Sequence, residues 1–409
     1  MDDIHIDDLT EPRFTPAVVE MLDAMAAMGA ASDLDAGALR RQAVAETGLD
    51  DFGDRDYEER LDVLLAALHD VPGLTDFGRL TFHSQVLQLL KNRLLLVDLL
   101  ARQPGIVDLE LDPPIIIAGL PRTGTTHLHQ LLATDASLRT LPYWESLEPV
   151  PLPSEAGLDP DPRRERTDAA VWFMNEAMPL FPLMHEMTTD HIHEEIQLLA
   201  VDFSTMFFES IASVPAWADY YRSHDQRPHY RYLRTVLQAL THLRGGTRWL
   251  LKSPQHLEQL PVIADVFPDA TVVVTHRDPV AVTVSMATMI AYSARCHASP
   301  VDPVAIGRSW ADRIEGMLNA CVRDRDVLPA DRSLDVRFDD FMADDLATAR
   351  RVFEVAGQPF TAEVEAGMRA YLDDHQRGRL GRIDYRAADA GLDVDDLRAR
   401  FAPYTERFL

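Results

Sequence analysis

Apolar residues recur at three- and four-residue spacing through FTPAVVEMLDAMAAM, YEERLDVLLAALHD and SQVLQLLKNRLLLVDLLARQ, which predicts a helical region from residue 1 to about 110. Gln103-Pro104-Gly105 breaks that pattern, and Asp112-Pro113-Pro114 closes the region. The period then changes. IIIAGL (115–120), RWLLKS (248–253) and TVVVTHR (271–277) are short unbroken apolar runs, each followed by a helical pattern. LDVRF (334–338) is a fourth candidate, ahead of the helix LATARRVFEVAG. Unbroken apolar runs suit strands buried on both faces, and their alternation with helices predicts a parallel sheet flanked by helices. Residues 150–245 read as a long helical insertion rich in Met and aromatics. The predicted architecture is an α/β domain over 111–409 that carries this insertion and an N-terminal helical layer, 1–110.

Composition narrows the function classes. With 39 Lys+Arg against 66 Asp+Glu in 409 residues, the formal charge is −27. Such a chain is a poor partner for nucleic acid or an anionic membrane, which are bound through basic side chains. Cys296 and Cys321 form no CxxC or metal spacing, the start MDDIHIDDLTEP is acidic where a secretion signal is basic, and no run of 18 uncharged apolar residues occurs. A cytoplasmic protein without a membrane span is expected. Only Lys91 and Lys252 among the basic residues are lysine, an imbalance that points to a GC-rich bacterial genome and makes each lysine informative. Lys91, in LLKNRLLL, reads as a helix-surface charge.

The first apolar run opens into GLPRTGTT. Gly119 and Gly124 stand five apart before Thr125 and Thr126, the strand–turn–helix setting of a P-loop-like phosphate loop. Glycines let backbone N–H groups approach an anion, and the helix N-terminus behind them adds positive potential. The lysine that follows the second glycine in nucleotide triphosphatases is missing, and Arg122 inside the loop supplies the cation instead. No apolar strand ends in an aspartate for magnesium: TVVVTHRD ends in His276-Arg277.

PRTGTT resembles the 5′-phosphosulfate loop of the sulfotransferases that use 3′-phosphoadenosine 5′-phosphosulfate (PAPS), in the spelling of the bacterial and tyrosylprotein branches. Three later segments are similar to the same family in chain order. LKSPQHLEQLPVIADVFPDATVVVTHRDP resembles its middle block. Arg277 and, eight residues on, Ser285 match its 3′-phosphate clamp, and HQRGRLGR (375–382) resembles its C-terminal loop, with Gly378 and Gly381 three apart. The resemblance implies a donor site of Arg122, Thr123, Gly124, Thr125, Thr126, Arg277, Ser285, Arg377 and Gly378. A guanidinium with a neighbouring hydroxyl suits a dianion. His127 stands where the cytosolic branch has an adenine-contacting tryptophan, and Phe338 where it has another aromatic.

Sulfuryl transfer needs a base for the acceptor hydroxyl and positive charge on the bridging oxygen as it leaves. The resemblance assigns the second task to Lys252, aided by Arg122, and the first to Glu145 in LPYWESLEP, with Glu148 three residues on. His256 lies four residues after Lys252, and His191 is a further candidate base. In HEMTTDHIHEE (185–195), His191, His193 and Glu194 lack a distant third metal ligand, so the cluster reads as acceptor-pocket lining or a polar face. WFMNEAMPLFPLM and FSTMFFES are apolar, Met-rich stretches that read as core or as the wall of a hydrophobic acceptor pocket. The expected function is PAPS-dependent, metal-free sulfation of a hydroxyl on a small molecule (lipid, phenol or carbohydrate), releasing adenosine 3′,5′-bisphosphate. The rivals are a P-loop small-molecule kinase using ATP and an inactive nucleotide-binding module.

Overall fold

In a computed structural model that describes residues 3–409, four strands form a single parallel sheet in the order β2-β1-β3-β4: β1 (Asp112–Gly119), β2 (Arg248–Ser253), β3 (Thr271–His276) and β4 (Ser333–Arg337). All six residues of β3 are buried, as are Ile115 to Gly119 of β1 and all but the first residue of β2. Burial on both faces accounts for the unbroken apolar runs. The parallel α/β sheet expected from the alternation of runs and helices is therefore observed. One boundary differs: β1 begins at Asp112, within Asp112-Pro113-Pro114. Asp112 pairs with Arg248, and the register then slips before Ile115, because proline has no N–H to give the ladder.

Four helices precede the sheet: α1 (Pro16–Gly29), α2 (Ala36–Thr47), α3 (Tyr57–His69) and α4 (Asp76–Arg102). The pattern of apolar residues missed α2. It buries only Leu39 and Ala43, too narrow a stripe for periodicity to show, and is marked instead by its ends. The Asp35 side chain accepts from the Ala38 N–H at 2.7 Å, and Gly48 closes the helix at φ +71°. Lys91, on α4, pairs with Glu46 of α2 at 3.0 Å. Helix α5 (Thr125–Leu132) follows β1, then α6 (Tyr143–Leu147) and α7 (Pro162–Ala177). From 178 to 222 the chain is helical only in short pieces, and the long helix Arg227–Arg244 returns it to β2. No helix among the described residues is long and apolar enough to cross a membrane.

The largest buried cluster runs without a break from Leu39 and Tyr57 through Phe203, Trp217 and Val272 to Tyr404, so the N-terminal helices share the core of the sheet. A buried ionic knot fastens the layers. Asp202 accepts from Arg60 and Arg93, both at 2.8 Å, and from His229 at 2.6 Å. Burial alone would raise its carboxyl pKa; the His229 hydrogen bond and the two guanidiniums outweigh that and hold it below the usual range. Replacing Asp202 by asparagine takes from Arg60 and Arg93 the buried anion they share, leaving only the exposed Asp56 nearby, and a destabilisation of about 3–5 kcal/mol is expected. The check is the denaturant midpoint, which should fall at constant m-value; an unchanged midpoint would contradict the knot's role.

Candidate active site

The carboxyl ends of all four strands lie on one edge of the sheet. Gly119 pairs with Thr275, Ala118 with Ser253 and His276 with Arg337. Since β2 lies on one side of β1 and β3 on the other, the chain order switches at β1, which is where open α/β sheets bind ligands. The loop 119–126 springs from this point. A side chain at Gly119 would overlap the Thr275 hydroxyl. Gly124, at φ +85°, starts α5 with no side-chain cap, leaving its first N–H groups free for an anion. Arg122 holds φ +68°, a strained conformation for a residue with a side chain. The Thr123 hydroxyl turns inward, donating to the Leu120 carbonyl at 2.7 Å and meeting Thr275 Oγ1 at 2.7 Å. Only its backbone is left for a ligand.

Residues from three of the segments singled out in the sequence meet on this loop. Arg122 Nε donates to Ser285 Oγ at 3.0 Å, and Arg277 Nη1 to the Arg122 carbonyl at 2.6 Å. The rest of the Arg122 guanidinium reaches the Met184 carbonyl and the Tyr385 hydroxyl; sequence reasoning missed Tyr385. Among the described residues no carboxylate pairs with Arg122 or Arg277, although ion pairs engage most arginines of this chain. Burial first, and the Arg122 charge second, hold the Arg277 guanidinium pKa below its ordinary value. Two cations pressed together without an anion form a ready site for one. Phe338 lies under the Arg277 guanidinium, 4.1 Å from ring centre to Cζ, so its ring serves the cation.

Lys252, at the end of β2, is 1% exposed. Its ammonium donates to Thr126 Oγ1 at 3.3 Å and pairs with Glu194. The strand end is fixed from behind. Glu195 accepts from the Lys252 backbone N–H at 2.9 Å and from His256, whose other nitrogen meets the Tyr230 hydroxyl at 2.8 Å. Burial would raise the Glu195 pKa, but His256 and the backbone N–H groups lower it on balance. Every hydrogen-bonding atom of His256 is thus engaged far inside the fold, which suits support better than proton transfer.

Glu145 requires a correction. It sits fully buried in α6, with Arg139 Nη2 at 2.8 and 2.9 Å from its two oxygens and Arg244 at 2.9 Å. The structure gives it no contact with Lys252, Arg122 or the loop. Both of its oxygens are taken up by guanidiniums and closed off from the strand ends where an acceptor would lie. The carboxylate on Lys252 belongs to Glu194, which the sequence offered only within a candidate metal cluster. Glu148 is likewise spent on Arg166, at 2.7 Å.

Arg377 and Gly378 lie on an exposed loop. Arg377 is engaged with Asp345 at 2.7 and 2.8 Å and with the Met342 carbonyl at 2.8 Å, and Gly378 takes φ +74°. His127 meets the same Asp345 at 2.9 Å and packs between the rings of Phe341 and Tyr371. Around Lys252 lie four imidazoles, His129, His185, His191 and His193. Burial first, and after it Lys252 for His129 and His185 and the neighbouring imidazoles for His191 and His193, push the first three down to about 3 and His193 well below its ordinary value, so all four are neutral at pH 7. No group of three or more His, Cys, Asp or Glu among the described residues is arranged to hold a metal ion.

Comparison with known proteins accords with this geometry. No curated protein sequence matches significantly. Among solved structures, the chain is similar to sulfotransferase STF1 from Mycobacterium tuberculosis H37Rv: 30% identity, 90% of this chain and 98% of that one covered, TM-score 0.79. It is also similar to sulfotransferase STF9 from Mycobacterium avium: 27% identity, 92% and 97% covered, TM-score 0.82. A profile of the sulfotransferase family matches residues 113–362, a span that begins just before the phosphate loop and contains Lys252, Arg277 and Ser285. The chain belongs to the sulfotransferase family.

Proposed function

We propose that this protein moves the sulfuryl group of PAPS to a hydroxyl of a small-molecule acceptor. The observation that carries the reading is the unneutralised pair Arg122 and Arg277, joined by Ser285 at the carboxyl edge of the sheet. In this reading the free N–H groups of 123–126 and the α5 terminus hold the 5′-phosphosulfate. Arg277 and Ser285 hold the 3′-phosphate, and Arg377 with Gly378 closes over it once Arg377 leaves Asp345. Adenine lies against His127, Phe341 and Tyr371.

In the transfer, the acceptor oxygen bonds to sulfur as the bond from sulfur to the bridging phosphate oxygen breaks. Glu194 takes the acceptor proton. Lys252, released from Glu194 by the incoming donor, meets the charge growing on the bridging oxygen, and Arg122 assists. The products are a sulfate ester and adenosine 3′,5′-bisphosphate. Changing Arg277 to alanine tests the donor site. Calorimetry should show adenosine 3′,5′-bisphosphate bound at least about 30-fold more weakly, a loss of about 2 kcal/mol or more for a charge-assisted contact. Unchanged affinity would refute the assignment.

A further inference from the structure

We infer that the segment His185–His193 carries the acceptor subsite, and that the acceptor it takes is an uncharged molecule with several neighbouring hydroxyls, a polyol such as a sugar ring. The inference rests on the sulfotransfer reading and narrows it. His129 Nδ1, His185 Nδ1, His191 Nε2 and His193 Nδ1 are closed to solvent and have no hydrogen-bond partner in the protein. Each such atom costs about 1–3 kcal/mol, and buried polar atoms without partners are few in native proteins. Here four gather in one place. The rings of His185 and His191 lie 5.4 Å apart, those of His191 and His193 6.0 Å, and the Lys252 charge acts on all four. They therefore lie within reach of the charge of the ammonium that meets the leaving group.

The partnered nitrogens fix what two of the free ones can do. The Gln130 amide donates to the Ile192 carbonyl and to His191 Nδ1, both at 3.3 Å. Neutral His191 therefore carries its proton on Nε2, which is an unused donor. His129 Nε2 donates to the Leu250 carbonyl at 3.3 Å, so its Nδ1 is an unused acceptor. A carboxylate accepts but cannot donate. An ammonium donates but cannot accept, and it would face Lys252 and Arg122. A hydroxyl does both, and four nitrogens call for more than one. The aromatic rings of Tyr143, 4.7 Å from His193, and Phe181, 6.1 Å from His185, give the ligand apolar faces. In this conformation the segment lies closed on the donor loop, held by Arg122 on the Met184 carbonyl and by Arg379 on Glu186. An acceptor enters by lifting it.

The test is a matched pair of acceptors with one apolar tail, octyl β-D-glucoside and 1-octanol, incubated with radiolabelled PAPS. The glucoside should show kcat/KM at least about 100-fold higher, because a site built for hydroxyls rejects an analogue that leaves its polar groups unpaired. His191→Phe should cut glucoside kcat/KM at least ten-fold, and His191→Gln, which keeps an N–H, should restore most of it. Each variant should bind adenosine 3′,5′-bisphosphate as the parent does. His193→Phe, which preserves the ring packed on Tyr143, serves as the second probe and should cut the same value at least ten-fold. Equal use of the pair, preference for octanol, or modification of neither while the bisphosphate binds would overturn the subsite alone. Failure of the bisphosphate to bind would overturn the sulfotransfer reading and this inference with it.

Discussion

Replacing Lys252 by methionine is expected to lower kcat for sulfuryl transfer by on the order of 10³ while leaving the Kd for adenosine 3′,5′-bisphosphate within about three-fold. The reason is where the charge develops. In the proposed mechanism Arg277, Ser285 and the loop hold the bisphosphate, whereas Lys252 faces the bridging oxygen only as its bond to sulfur breaks, so its interaction grows in the transition state. Methionine keeps the apolar length of a side chain that is buried almost to its tip. Arginine should not rescue, because its planar fork cannot enter the space that a compact ammonium shares with Thr126 and Glu194. Single-turnover measurements with labelled PAPS separate the chemical step from product release. A methionine variant with kcat within ten-fold of the parent would remove Lys252 from the mechanism.

The second large effect separates two carboxylates. Glu194→Gln should lower kcat by about 10²–10⁴, the range for loss of a positioned base, with unchanged bisphosphate affinity. Glu145→Gln should lower stability and leave turnover intact. Taking the anion from Arg139 and Arg244 breaks a buried ion pair, costing about 3 kcal/mol or more, while molecules that remain folded turn over at close to the parental rate. Denaturant midpoints and turnover measured on both variants settle the matter. If Glu145→Gln were inactive but stable, and Glu194→Gln active, the base would be Glu145.

That exchange marks how far the sequence could be read. Strand positions were legible because burial on both faces leaves an unbroken apolar run, as in TVVVTH of β3. The turn between β1 and α5 was legible because its demands are local: two glycines, an arginine and a helix start within eight residues. The meeting of Arg277 and Ser285 beside the loop was legible because they lie on consecutive elements, a strand end and the following helix. The base was not. Whether Glu145 or Glu194 meets Lys252 depends on how an irregular stretch of short helical pieces folds across the strand ends, and nothing in the spacing of LPYWESLEP or HIHEE encodes that path. The surroundings of Glu145 did leave a trace, in arginines at 139 and 244, but a neutralising partner 99 residues away is visible only after folding. The histidines were ambiguous for the same reason. Their role depends on which nitrogens find partners, and the partners, Gln130 and the Leu250 carbonyl, come from other elements.

At the centre of the proposal, Arg277 with Ser285 receives the 3′-phosphate of a sulfuryl donor whose 5′-phosphosulfate lies on the loop beside Arg122. Calorimetric titration of the whole chain with adenosine 3′,5′-bisphosphate, and separately with ATP and magnesium, tests it most directly. Stoichiometric binding of the bisphosphate, undiminished by a chelator, is expected, with at least a hundred-fold weaker binding of ATP, whose phosphates leave the Arg277 and Ser285 site unfilled. Tight binding of ATP with magnesium and no heat from the bisphosphate would contradict it.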